Sequence, residues 1–345
     1  MDSHFLGLTA IVTLGYQLTF FIITALFRFD KVTDFAGGTN FIILAILTLV
    51  LKGSWHFRQK VVVNPNKGFA SSHFSSGTLL PELIPSLLMP MYISSVSRSF
   101  AVSTTSVVLN GIHDFIVVLS SFVVIWGLRL GLFLLMRILQ WGEDRRFDDK
   151  RDNLGKLAIF WILQAIWVWT VSLPVTVVNA SDKQPSVQAQ DIIGWIMWII
   201  GILVEITADQ QKLAFKNSPE NRGKWCSVGL WKYSRHPNYF GEILLWWGVF
   251  LASTPVLVGA EWLVVFGPVF ITLLLLFVSG IPLLEAPGDK KFGNVAAYRS
   301  YKRKTSPLIL LPPGLYGSLP QWFKTILLFE FPLYSRNLPQ EELSW

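Results

Sequence analysis

The sequence has a single cysteine, Cys226, and only 15% charged residues. One cysteine excludes an intrachain disulfide, and with it the small secreted scaffold that such bridges staple together. Soluble domains carry about 25% charge, so this shortage argues against an ordinary soluble globule. Histidine is scarce and scattered, at His4, His56, His73, His113 and His236, and no Cys/His spacing suits a metal ion. There is no Walker loop, no G-x-G-x-x-G turn and no G-x-S-x-G elbow, which speaks against soluble-type nucleotide folds and serine hydrolases. No basic stretch followed by a short apolar segment and a small-residue cleavage site opens the chain. Its first apolar run, from about 8 to 27, is long enough to span a bilayer by itself.

What is abundant is apolar surface. Hydrophobic residues make up 52% of the 345, fifteen are Trp, and the mean hydropathy is +0.48. Trp collects where membrane meets water, so the composition predicts an all-α, polytopic membrane bundle of about 6–8 spanning helices. The candidate spans lie near 8–27, 36–51, 114–139, 157–179, 192–206, 243–258 and 262–284. The 114–139 run holds Arg129 and Arg137 and reads as one span or two pieces. A weaker candidate, 79–96, carries three prolines and Glu82, which disfavour a helix. Segments 142–156, 207–236 and 285–304 carry five, six and six Lys or Arg, against one in 180–191 and none in 257–261. The positive-inside rule puts those three segments in the cytosol. The chain divides into N-terminal helices (1–59), an atypical Ser- and Asn-rich insertion or loop (60–112), a membrane domain with a cytosol-facing pocket (113–315) and a tail (316–345).

Three polar constellations stand out. In "SRHPNYFGE", Pro237 suits the first position of a helix, which places Asn238 and Glu242 four apart on one face, with Arg235 and His236 just ahead. A helix N-terminus beside an Arg is a ready anion site, and Gly241 admits a close approach. The plain alternative is an interfacial cap; the density of distinct polar types favours a site. In "VEITADQQKLAFK", Glu205, Asp209, Lys212 and Lys216 form one helical stripe, either a salt-bridge ladder or a cradle for hydroxyls and phosphates. In the tail, Glu285 sits where the last span ends. Tyr298, Tyr301, Lys302 and Arg303 follow on a short amphipathic helix that either holds phosphates or snorkels to anionic lipid. Arg137, near a membrane boundary, is expected to face the bundle interior, the interface or an anionic partner, with Arg145, Arg146 and Asp148 beyond it.

"GLWKYSRHPNYFGEILLWWG", preceded by "EITADQQKLAFK" and followed by "SGIPLLE" and "AYRSYKRKTSPLI", resembles the steroid 5-alpha-reductase-like superfamily, and within it a poorly characterised branch. The resemblance covers roughly 125–315 and 27–49 but not 60–112. It implies a multi-helix membrane reductase, at the endoplasmic reticulum in a eukaryote, that uses NADPH on a hydrophobic substrate entering from the bilayer. Neither nucleic acid nor metal is an expected partner. By the same resemblance Asn238 would bond the nicotinamide carboxamide and Asp209 belongs to the nucleotide pocket. Lys216 stands where Arg is usual, and Tyr298 and Arg303 lie in the segment closing over the cofactor. The full cofactor set expected is Asp209, Lys212, Lys216, Arg235, His236, Asn238, Glu285, Tyr298 and Arg303, with Tyr239 and Glu242 as donor or orienter in catalysis. One departure concerns substrate: the tyrosine that polarises an enone in steroid reductases has no counterpart here, the aligned position being Leu134. The rival reading is an integral-membrane methyltransferase of the isoprenylcysteine carboxyl or phospholipid type, with Arg235, His236 and Glu285 around S-adenosylmethionine. The lysine stripe weighs against it, since that cofactor has no phosphate. A non-catalytic scaffold is the third reading.

Overall fold

A chain inside lipid must satisfy its backbone polar groups internally, which leaves helices as the way for these apolar runs to cross. The computed structural model describes residues 5–27, 33–61, 115–141, 153–183 and 185–338. The segment 60–112 lies almost wholly outside the described residues, with the 79–96 candidate. So do Arg145, Arg146, Asp148 and the side chain of Arg137. The long helices are α1 (Leu6–Phe27), α2 (Thr33–Val61), α3 (Phe115–Trp141), α4 (Leu154–Ala180), α5 (Ala189–Asn217) and α6 (Pro237–Ser253). A 3-10 stretch, Gly259–Val265, leads into α7 (Phe266–Leu273), a π-helical turn Leu274–Val278, and α8 (Ile281–Phe292). Three short helices close the chain: α9 (Ala296–Lys304), α10 (Pro313–Ser318) and α11 (Gln321–Leu327).

Among the described residues five helical spans are long and apolar enough to cross a membrane: α1, most of α3, α4, α5 and the composite Gly259–Phe292, with a shorter apolar helix at Phe35–Leu51. The run with two arginines is thus one continuous helix. The protein is an all-α polytopic membrane protein, and α1 displays the physics plainly. Its buried stripe is polar, Thr9, Thr13, Gln17 and Thr24, while Ile11 and Leu26 stand 69% and 73% exposed. That inverted pattern suits a helix with lipid outside and other helices inside.

Helix contacts combine polar links with aromatic packing. Asn179 of α4 donates to Thr48 of α2 at 2.8 Å and meets Ser120 of α3 at 3.0 Å. Gln17 donates to Asn40 at 3.2 Å, and Gln164 to the Thr33 carbonyl at 2.9 Å. Phe122 and Trp198 stack with ring centroids 4.1 Å apart, and Phe41 is wedged among Trp126, Trp167 and Trp246. The π turn, where the ladder slips by one residue, leaves the Leu276 carbonyl to be taken by the Tyr334 hydroxyl at 2.8 Å. Residues of the expected tail, 316–345, therefore reach back into the membrane domain.

Candidate functional site

The site rests on how closely α5 and α6 approach. Both carry glycines seven apart, Gly194 and Gly201 on one, Gly241 and Gly248 on the other, and these meet in antiparallel register. A Cβ added at Gly201 would lie 2.6 Å from the Gly241 carbonyl oxygen, and one at Gly194 would lie 2.5 Å from that of Gly248. Only glycine permits such contact. Pro237 begins α6 as its sequence suggests, and the intervening loop is sewn back onto α5. Trp231 Nε1 donates to the Ala208 carbonyl at 2.9 Å, and the Leu230 amide to Gln211 Oε1 at 2.8 Å. Glu205 of α5 thereby sits against Gly241, one residue short of Glu242.

Arg129 of α3 closes the third side. Its guanidinium pairs with both Glu205 and Asp209, one helical turn apart on α5, and lies 5.6 Å from the Phe133 ring centroid. Glu242 is near enough for the charges of Glu205, Arg129 and Asp209 to bear on it. Its own carboxylate makes no hydrogen bond or ion pair among the described residues. Glu242 itself is half-buried, and among the buried polar atoms without a hydrogen-bond partner in the described residues, two lie near it: Glu205 Oε2 and Asn238 Oδ1. These two acceptors, on neighbouring helices beside the Arg129 pairs, are open to a donor from elsewhere.

A second buried network lies behind the start of α6. Arg235 donates five hydrogen bonds: to Glu285 at 3.0 Å, to Glu330 at 3.0 and 2.9 Å, and to the carbonyls of Lys302 and Thr305 at 3.0 and 2.9 Å. His236 Nε2 meets the same Glu285 oxygen at 2.8 Å. Lys302 bridges Glu285 at 2.7 Å and Asp289 at 2.6 Å, Tyr298 donates to Asp289 at 3.0 Å, and Tyr316 to Glu330 at 2.5 Å. Burial alone would lower the pKa of Arg235, but Glu285 and Glu330 raise it well above the ordinary value. For His236 burial wins over Glu285, and its pKa falls below the usual imidazole value. The neutral ring then donates through Nε2 and leaves buried Nδ1 without a partner. This network is a clasp: it ties α8, α9 and the tail to the root of α6, helped by a parallel bridge between Ser234 and Ser306.

The expected site residues thus divide into groups. Asp209 and Glu242 come together with Glu205 and Arg129, and Asn238 lies one turn along the same face of α6. Lys212 holds its ammonium 4.2 Å from the Trp231 ring centroid, with Lys216 about one turn beyond. Tyr239 stacks on His236, centroids 5.6 Å apart. Arg235, His236, Glu285 and Tyr298 belong to the clasp, and Arg303 lines a cavity bordered by the clasp residues Lys302, Tyr316 and Glu330. Sequence reasoning missed the role of Arg129, noting it only as a charge within an apolar run. It also missed Glu330, Tyr316 and Tyr334, for which a carboxylate inside "LLFEFPLY" is the one visible signal. Among the described residues no group of three His, Cys, Asp or Glu is arranged to hold a metal ion.

The profile of a family described as "Protein of unknown function (DUF1295)" matches residues 20–64 and 92–305, most of the chain, leaving out 1–19, 65–91 and 306–345. "Probable O-methyltransferase ustE" from Ustilaginoidea virens is 33% identical over 66 residues, 19% of this chain and 23% of that protein. The chain thus matches about a quarter of the length of that curated relative. No solved structure matches.

Proposed function

The chain belongs to the DUF1295 family, a steroid 5-alpha-reductase-like family of membrane proteins, and from that premise we propose that it is an NADPH-dependent reductase of a carbon–carbon double bond in a hydrophobic, lipid- or steroid-like substrate. The observation that carries this reading is the unfilled Asn238 Oδ1 at the start of α6. A carboxamide oxygen held there accepts from the N–H of a nicotinamide carboxamide. Lys212 and Lys216, further along α5, are the cations for its phosphates. When bound, NADPH supplies a hydride to one carbon of the double bond. The other carbon, or a conjugated carbonyl oxygen, needs a proton. Glu242 carries that role, with Tyr239 beside it as orienter. Arg129 holds Glu205 and Asp209 through its two ion pairs.

A second reading has its own support. The carboxylates Glu205, Asp209 and Glu242 lie close together beside Arg129, acidic surroundings that a cationic sulfonium tolerates, and the relative from Ustilaginoidea virens is named a probable O-methyltransferase. In that case the ligand is S-adenosylmethionine. Titration of detergent-purified protein with each cofactor separates the two. The reductase reading expects saturable NADPH binding, weakened about tenfold or more in Asn238→Ala, the scale of a lost hydrogen bond to a buried group. Binding of S-adenosylmethionine alone overturns it.

A further inference from the structure

The tail beyond the family match folds against α9 to form a basic cup, and the helix α11 shows apolar side chains outward. On α11, Lys324 is buried and Thr325 half-buried against a cavity of about 350 Å³, with Gln321 exposed at its edge. Trp322, Ile326 and Leu327 stand 62%, 68% and 52% exposed. In water a short helix buries its apolar face and shows its polar one. The reverse is stable where the outer surroundings are a membrane interface, the favoured place for an outward Trp.

The cup itself is cationic. Lys324 is only 8% exposed. Its ammonium lies 4.9 Å from the centroid of the Tyr316 ring and makes no hydrogen bond or ion pair among the described residues. Arg303 and Arg336 line the same cavity from exposed positions and make no ion pair among the described residues. The one acidic group there, Glu330, is already held by Arg235 and Tyr316. Burial pulls the Lys324 pKa down from the ordinary lysine value, as expected of a cation with too little counter-charge. Two guanidinium forks and an ammonium around one hollow are the donor set for a phosphate group.

We propose that this cup holds the phosphate of an anionic membrane lipid headgroup, with Arg303, Lys324 and Arg336 as its ligands. The lipid source follows from α11, whose outward apolar face sets the cup at headgroup depth. Phe331 and Leu338 in the wall give the glycerol end an apolar surface. The proposal is independent of the chemistry assigned to the α5–α6 site.

The test uses full-length protein in phosphatidylcholine nanodiscs containing a minor fraction of phosphatidic acid, with retained lipid read by native mass spectrometry. The wild type is expected to enrich phosphatidic acid about tenfold, the scale of one charge-assisted contact. Lys324→Met should abolish the enrichment. So should the double variant Arg303→Gln/Arg336→Gln, whose exposed positions leave folding intact. Asn238→Ala should retain it even if NADPH binding is lost, which separates failure here from failure of the reductase reading. Equal retention of the two lipids, or enrichment unchanged in both variants, overturns the site. Saturable binding of inorganic phosphate in detergent, sensitive to Lys324→Met but without lipid preference, overturns the lipid source.

Discussion

Replacing Arg235 by lysine asks whether this residue is a brace or a ligand. The guanidinium spans two carboxylates and two carbonyls through five hydrogen bonds. Lysine keeps the charge but has three N–H donors on a point ammonium and cannot fork between Glu285 and Glu330. At least two buried acceptors are then left without a donor. At about 1.5–3 kcal/mol for each bond to a charged group, the loss is about 3–6 kcal/mol. That agrees with the roughly 3–5 kcal/mol typical of breaking a buried ion pair. The molecule supplies its own reporter: Cys226 is the sole thiol, partly buried, and its pKa is raised by desolvation. Thermal unfolding followed by thiol labelling in detergent should therefore begin several degrees lower in Arg235→Lys. Glu330→Gln should add less than its own single effect on top of it, since both break one network. Below the transition, NADPH affinity should be unchanged. If labelling begins at the wild-type temperature while NADPH binding is lost, the clasp argument is wrong and Arg235 is a cofactor ligand.

Other consequences are equally measurable. Gly201→Ala drives a methyl into the Gly241 carbonyl and the Leu245 backbone, at 2.6 and 2.8 Å. Overpacking of this kind costs about 1–3 kcal/mol, and it should weaken cofactor binding by parting Glu205 from Glu242; an alanine variant with wild-type stability and affinity would count against the close-contact register. His236, whose folded pKa lies below its ordinary 6.5, takes up a proton more readily when unfolded. Stability is thus fully present above about pH 6.5 and is lost as pH falls below it; the slope of unfolding temperature between pH 7 and 5 should flatten in His236→Gln. Tyr334→Phe frees the Leu276 carbonyl of the π turn and should cost about 1–2 kcal/mol, with hydrogen exchange rising first around residues 274–280.

The spans were legible because hydropathy reports lipid contact directly, and the start of α6 because proline suits few other helix positions. The extension of α5 beyond its apolar run, which stops at 206, was legible too: Glu205, Asp209, Lys212 and Lys216 keep the helical period, and the helix runs to Asn217. The break at Leu274–Val278 was invisible, since all five residues are apolar and hydropathy carries no backbone register. The partners of the polar stripes were out of reach for another reason. Arg129 is 76 residues from Glu205 and Arg235 is 95 from Glu330, and a guanidinium bracing carboxylates has the same sequence signature as one awaiting a phosphate.

The paired glycines carry an implication for how this protein tolerates length changes. Because contacts recur every seven residues on both α5 and α6, the two helices fit in one alignment and act like a toothed rail. An insertion in the connection between them, around residues 219–228, leaves the teeth engaged and should be neutral. A single-residue deletion between Gly201 and Glu205 turns everything beyond it by about 100°. The glycine then still meets its mate while the carboxylate faces lipid, so chain variants of this kind should fold, insert and be inert.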